Sequence, residues 1–272
     1  MNAGPIFWGI FGILVGIFLF IFGLKELKKK RLIENIPTSK IRSLAMGLVE
    51  VFGKVVPSKS GILKSPFTKK DCVYYRYTIE EYRKQGKNSR WVTLRKEEKV
   101  RPFYIRDETG TVLVNPQKKE SKLPKGSFGM LVPGLNAKMD IPLDTEFRSS
   151  WGQDPPQKVK DFLSSQNIRY EGILLKINKK MRYREYFIEP NDQLYVIGTA
   201  MDNPYVEEGS SIQSSEDIMI GKGKHNKIFY ISDKPEKKIL KNLSLKSFGS
   251  ITFGSVIFVA SLAFILFSMS MI

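Results

Sequence analysis

The run CVYYRYTIEEY, residues 72–82, alternates: Val73, Tyr75, Tyr77 and Ile79 share one side of an extended chain, and Tyr74, Arg76, Thr78 and Glu80 share the other. Wound into a helix, the same residues would spread around the whole circumference. The run therefore reads as a strand with one apolar face and one mixed face. Working outward, "LVEVFGKVV", "RWVTLRKEEKV", "REYFIEP", "QLYVIGTA" and "NKIFYIS" have the same β character, and "PFYIRDETGTVLVN" reads as a hairpin turning at Asp107–Gly110. "LYVIGTA" is apolar on both faces, as a strand central to a fold would be. "VEVFGKVVP" and "LYVIGTAMDNP" echo one another, though too briefly to claim a duplication. Residues 115–152 hold several prolines and glycines and read as a long irregular connection with at most one strand near Met139–Phe147.

Short helices are expected at three places. In "NIPTSKIRSLAMG", Pro37 suits a first turn, and Ile41, Leu44 and Ala45 share a face before Gly47. "PPQKVKDFLSSQN" places Val159, Phe162 and Leu163 on one apolar face. In "DKPEKKILKNLSLKSF", Asp233 and Glu236 have capping-box spacing, with Pro235 in the first turn and a stripe of Ile239, Leu240 and Leu243.

Both ends of the chain are different in kind. All 44 basic and all 27 acidic side chains lie between Lys25 and Lys246. "PIFWGIFGILVGIFLFIFGL", from Pro5, has about the 20 apolar residues that a helix needs to cross a bilayer. "SFGSITFGSVIFVASLAFILFSMSMI", from Ser247, is long enough to cross again. The first stretch lacks the basic n-region and the small-residue cleavage site of a signal peptide, so it is expected to be retained. The expected organisation is a first span at 5–24, a basic juxtamembrane segment at 25–35, a β-rich soluble domain at 36–232, an amphipathic juxtamembrane helix at 233–246 and a second span at 247–270. This is an α+β chain: a β-rich soluble domain with a few short helices, flanked by two transmembrane helices.

Lys25, Lys28, Lys29, Lys30 and Arg31 follow the first span, and Lys237, Lys238 and Lys241 precede the second. The outer tails have no basic residue, so the positive-inside bias puts the domain in the cytoplasm and both termini on the opposite side. These eight residues are candidate contacts to anionic lipid headgroups, each attracted by about 1 kcal/mol near the surface. That attraction explains the flanking basic clusters without nucleic acid, for which no recognition motif is present. The lone cysteine agrees with a reducing compartment. Within the spans, Gly9, Gly16 and Gly23 are spaced by seven, Gly12 and Gly16 form a GxxxG, and Ser247, Gly254 and Ser261 repeat at seven. Small residues on one stripe let two helices approach closely, so the spans are expected to pack through Gly9, Gly12, Gly16, Gly23, Gly254 and Ser261. The abundance of Gly and Ser in membrane helices explains the spacing equally well.

Catalytic constellations are scarce. Cys72 and His225 are the only cysteine and histidine, and a nucleophile pair is formally open to them. Cys72, however, opens an apolar strand and is read as a small buried hydrophobe, while His225 sits in the basic turn "GKGKHNK". A zinc site of four Cys or His ligands cannot be assembled, and no cofactor is expected. Glu80 and Glu81 are adjacent in a strand and face opposite sides, so they cannot act as a pair.

Five segments taken together, "IPTSKIRSLAMGLVEVFGKV", "LKSPFTKKDCVYYRYTIEEY", "PFYIRDETGTVLVNP", "EYFIEPNDQLYVIGTA" and "FYISDKPEKKILK", in this order between two apolar stretches, resemble the GIDE-domain family. The soluble part of that family is also called the beside-a-membrane domain. The resemblance implies a β-rich domain held at a membrane by two spans, engaging protein partners. The family's membrane-anchored ubiquitin ligase also carries a RING, whose zinc ligands this chain lacks, so no catalytic residue is carried over. The expected function is that of a membrane-anchored, non-catalytic binding or scaffold module with a protein partner not yet identified. A ubiquitin-type ligase component needing a separate RING subunit is the alternative.

Overall fold

The computed structural model describes residues 3–117, 135–172, 178–204, 217–224, 228–233 and 236–270. The chain divides into two compact units, one formed by Met1–Pro37 with Lys234–Ile272 and the other by Thr38–Asp233.

The first unit is a pair of long helices, α1 (Ala3–Glu34) and α3 (Glu236–Ser270). At 32 and 35 residues they are about 50 Å long, and both are long and apolar enough to cross a bilayer by length and composition. The basic segment after the first apolar stretch continues α1 as helix, and the amphipathic segment before the second belongs to α3, from Glu236 onward. Lys234 and Pro235, which carry part of the expected cap, lie outside the described residues. Phe7, Trp8, Phe11, Phe18, Phe253, Val256, Val259 and Phe267 stand exposed around the pair. Helices apolar all round need apolar surroundings. The hydroxyls of Thr252, Ser255 and Ser268 donate back to the carbonyls of Phe248, Ile251 and Phe264, so they add no unsatisfied polar group to that surface.

The second unit is β-rich. Its strands are β1 (Gly47–Pro57), β2 (Leu63–Lys64), β3 (Asp71–Cys72), β4 (Tyr74–Gln85), β5 (Asn88–Val100), β6 (Phe103–Arg106), β7 (Thr111–Val114), β8 (Lys138–Asp140), β9 (Thr145–Ser149), β10 (Met181–Ile188), β11 (Gln193–Asp202), β12 (Ile218–Gly221) and β13 (Tyr230–Ser232), with one helix, α2 (Gln157–Ser165). Five strands close a ring in the order β1-β6-β7-β12-β11 and back to β1. All neighbours are antiparallel except β7 and β12. That order and those directions are the connectivity of an OB barrel, and topology alone assigns it no ligand. Val49, Val51, Val55, Phe103, Ile105, Val112, Val114, Leu194, Val196 and Ile220 fill the interior.

Two glycines permit the closure. β1 pairs with β11 along Gly47–Lys54 and with β6 from Lys54 onward. At the handover, a Cβ on Gly53 would overlap the carbonyl oxygen of Arg106 and sit 2.8 Å from Ile105 Cγ2. β11 passes from β13 to β12 between Ile197 and Thr199, and a Cβ on Gly198 would lie 2.6 Å from Ile220 Cγ2. Glycine is the residue that allows such close approach at a barrel corner. The two echoing sequences are thus β1 and β11, antiparallel neighbours that each change a pairing partner at the glycine of the echo.

The connections from β1 to β6 and from β7 to β11 both carry long insertions, which meet in a four-stranded antiparallel sheet of order β5-β4-β10-β9. One face of this sheet, with Tyr75, Tyr77, Ile79, Met181, Tyr183 and Phe187, packs under α2 through Val159 and Leu163. Phe67, Tyr77 and Phe162 form an edge-to-face triangle with centroids 5.1–5.6 Å apart; each such pair contributes about 0.5–1.5 kcal/mol beyond its buried area.

Three readings of the sequence are corrected. The expected helix after Pro37 is a single 3-10 turn, Ile41–Ser43. Ser39 N–H donates to the Glu50 carbonyl, and Ile41 N–H to the Asp107 carboxylate, so long-range partners draw the segment out along β1. Residues 115–152 hold two strands, β8 and β9, rather than one; residues 118–134 lie outside the described set. β12 had no separate expectation. Tyr74, placed on the mixed face by alternation, is fully buried with Val73 in the ring's core. There the strand passes from one core to the other, with Val73 N–H on Ile188 O and Arg101 N–H on Val73 O.

Candidate functional site

Cys72 Sγ is fully buried and donates to Leu63 O at 3.6 Å. Burial, reinforced by the negative charge of Glu185, pushes its thiol up to about 12, away from the thiolate that a nucleophile needs. His225 lies outside the described residues. Glu185, also fully buried, accepts from Phe67 N at 2.6 Å, Thr68 N at 3.1 Å and Thr68 Oγ1 at 2.6 Å. It therefore clamps the SPFTKKD turn that leads into β4. Among the described residues, no three His, Cys, Asp or Glu side chains converge as metal ligands.

The outer face of the four-stranded sheet gathers charged and aromatic side chains from four strands. Strand alternation and register decide its membership: Arg182 pairs with Glu80, Arg184 with Thr78, and Tyr186 with Arg76, while Glu146 and Arg148 join from β9. A bulge between Ile79 and Glu80 shifts the β5 register so that Trp91 comes opposite Tyr82. Arg182 grips Glu80 with two nitrogens, at 2.5 and 3.2 Å. Arg184 reaches Glu146 at 2.9 Å and Glu80 at 3.6 Å, and Arg148 meets Glu146 at 2.6 Å. Arg76 lies 4.0 Å over the Tyr186 ring, and Arg182 lies 4.2 Å over Trp91. Burial alone would raise the Glu146 carboxyl, but hydrogen bonds from Arg148 and Arg184 hold it below the usual range. The result is a ladder of guanidinium, carboxylate and aromatic groups joined by cross-strand ion pairs and ring contacts.

No family model, curated protein or solved structure matches this chain.

A second cluster lines a cleft of about 200 Å³ that includes Asp144, Asp192 and Asp233. Asp144 is raised by burial and by the charges of Asp192 and Glu189, against a hydrogen bond from Phe187 N–H. Asp192 is raised by burial and by Glu189 in the same way, against Glu189 N–H.

Of the eight candidate headgroup contacts, Lys25, Lys28 and Arg31 stand exposed on the last third of α1, as does Lys241 on α3. Lys30 is half-buried and pairs with Glu34 at 3.6 Å. The side chains of Lys29, Lys237 and Lys238 lie outside the described residues. The small residues of the two helices meet. A Cβ on Gly16 would lie 2.9 Å from Gly254 O, and one on Gly254 would lie 2.7 Å from Phe20 N. Gly9 faces Ile265 and Ser261, Gly12 faces Ser261, and Gly23 faces Ile251 and Ser247.

The arginine–aromatic face was not singled out from the sequence. Arg182, Arg184 and Tyr186 do recur at every second position of "MRYREYF", which assigns them to one face. Their partners on β4 and β9 stand far away in the chain, and register alone brings them together.

Proposed function

We propose that this chain is a membrane-anchored, non-catalytic binding module of the GIDE-like kind, in which α1 and α3 span the bilayer and the β-rich unit presents the outer face of its four-stranded sheet to a protein partner. The basic flanks of the apolar helices favour a cytoplasmic position for that unit, and their exposed lysines and arginine suit anionic headgroups. The observation that carries the reading is the ladder of Arg76, Arg182, Arg184, Tyr186 and Trp91, interlocked with Glu80 and Glu146. Arginine and large aromatics dominate binding hot spots. Side chains already fixed by cross-strand pairs lose little freedom when a partner docks.

The test is site-specific photo-crosslinking in native membranes, with the crosslinker at Lys96 on the ladder face and, as a control, at Lys59. A protein adduct from Lys96 that Arg76→Ala with Tyr186→Ala diminishes supports the reading. Its mass-spectrometric identity also reveals whether the partner bears a RING. Equal adducts from both positions, indifferent to the substitutions, sink it.

A further inference from the structure

Two strand connections, β4–β5 and both ends of β9–β10, converge at one end of the four-stranded sheet. The β4–β5 hairpin runs past the strand β10 that supports it, turning at Gly86 with φ +62°. Beside it, Tyr82 N–H donates to Lys180 O at 2.8 Å, just before β10 begins. Beyond that, Ser149 pairs with Met181 and its hydroxyl reaches Lys179 O at 3.1 Å, which sets the turn Ser150–Gln153 at the same end. These elements bring together Tyr82, Trp91 and Trp151 with Arg83, Lys84, Lys87, Arg90, Lys179 and Lys180.

The balance of this end is basic and aromatic. Arg83, Lys84, Lys87 and Arg90 are all exposed. The bordering acids are engaged: Glu81 by Arg83 at 2.6 Å and Lys179 at 3.8 Å, Asp154 by Lys160 and Asn178, and Glu171 by Tyr170. Trp151, at the tip of its turn beside Gly152 (φ +74°), is 82% exposed. A tryptophan that nothing in the unit covers, flanked by lysines and arginines, has the chemistry of the bilayer interface, where the indole sits at headgroup level and the cations meet anionic lipid.

We infer that this sheet end, with Trp151 at its tip and Arg83, Lys84, Lys87, Arg90 and Lys180 around it, docks on an anionic lipid surface as a contact separate from the lysines beside the two long helices. The inference rests on the proposal that α1 and α3 span a membrane. Single-stranded nucleic acid, the other polyanion that basic and aromatic groups recognise, needs open ring faces on which bases stack. Here Lys180 covers Tyr82 at 4.5 Å, Arg182 covers Trp91 at 4.2 Å, and the two rings lean on each other at 5.1 Å. Of the three rings that leaves Trp151 open, too few for the successive bases of a strand, whereas the interfacial role needs only one exposed indole and the charges.

The experiment uses the full chain in nanodiscs of phosphatidylcholine, alone or with phosphatidylglycerol, containing brominated acyl chains that quench tryptophan. One version keeps only Trp151 (Trp8→Phe, Trp91→Phe) and the other keeps only Trp8 (Trp91→Phe, Trp151→Phe). The expected result is Trp8 quenched in both lipids and Trp151 quenched only with the anionic lipid. Lys84→Gln, Lys87→Gln and Arg90→Gln together should lower the docked-to-undocked ratio about 100-fold, from the attraction each basic residue feels at such a surface. High salt should release Trp151 as well. Trp8 quenched with Trp151 unquenched in anionic nanodiscs overturns the inference and leaves the spanning proposal standing. Trp8 unquenched overturns both. Trp151 unquenched in anionic nanodiscs but changed in fluorescence on adding single-stranded DNA overturns the lipid assignment in favour of nucleic acid. Amide exchange with all tryptophans in place gives a second reading: protection of 83–90 in anionic over neutral nanodiscs supports docking, and equal exchange refutes it.

Discussion

The clamp at Glu185 offers the sharpest test of the β-rich unit. Glu185→Ala removes the acceptor of three bonds, from Phe67 N, Thr68 N and Thr68 Oγ1, in a position with no exposure. Bonds to a charged acceptor contribute about 1.5–3 kcal/mol each, so the three sum to roughly 5–9 kcal/mol. Against this, alanine relieves the desolvation of a buried carboxylate, which is several kcal/mol. Thr68 is only half-buried, so water can satisfy its freed groups. The net loss is about 3 kcal/mol, mostly from the orphaned Phe67 N–H, the emptied space and the loosened turn. For a unit of this size that lowers Tm by about 6–12 °C. Glu185→Gln keeps one oxygen for Phe67 N–H but turns an amide NH₂ toward Thr68, so its loss is about 1–2 kcal/mol. Thermal unfolding in nanodiscs is followed by near-UV circular dichroism, which reports Tyr75, Tyr77 and Tyr183 beside the turn. The order wild type, Gln, Ala is expected. An alanine variant within about 3 °C of wild type, or a glutamine variant less stable than alanine, refutes the clamp.

Gly254→Leu should force α1 and α3 apart, because even a Cβ there overlaps Phe20 N. In a Cys72→Ser chain with spin labels at the exposed positions Leu14 and Val256, the distance between the helices measured by electron resonance should lengthen on adding Gly254→Leu; an unchanged distance refutes the close packing. Cys72 itself should resist maleimide in the folded protein and label fully after denaturation, since it is buried and its thiol is raised to about 12; rapid native labelling would refute that. Asp144 has a folded pKa above its unfolded value, so the stability it contributes is full below the unfolded pKa and is lost as pH rises through the folded one. Asp144→Asn, which keeps an oxygen for Phe187 N–H, should therefore raise Tm at neutral pH and gain nothing near pH 4, about the unperturbed aspartate value. A gain that is independent of pH contradicts the repulsion among Asp144, Asp192 and Glu189.

The features legible in the sequence are those with a local cause. The apolar stretches of the two long helices need only composition and length, and they appear where the chain is uncharged, although each helix runs on into its charged flank. Tyr75, Tyr77 and Ile79 point into one core because a pleated backbone alternates its side chains, whatever lies across from it. α2 buries Val159 and Leu163 for the corresponding helical reason. The tertiary structure decided everything that depends on register. The segment 37–45 has a helical pattern, yet long-range hydrogen bonds from Ser39 to Glu50 and from Ile41 to Asp107 leave it only a single 3-10 turn, Ile41–Ser43. β1 and β11 look alike in sequence, but only ring closure makes them neighbours and makes glycine necessary at 53 and 198. Arg182 and Glu80 are 102 residues apart and meet because β10 pairs with β4 in one register and no other. A slip of β10 by one residue would turn Arg182, Arg184 and Tyr186 into the core beneath α2. Burial of that core therefore determines which surface this protein shows to its surroundings.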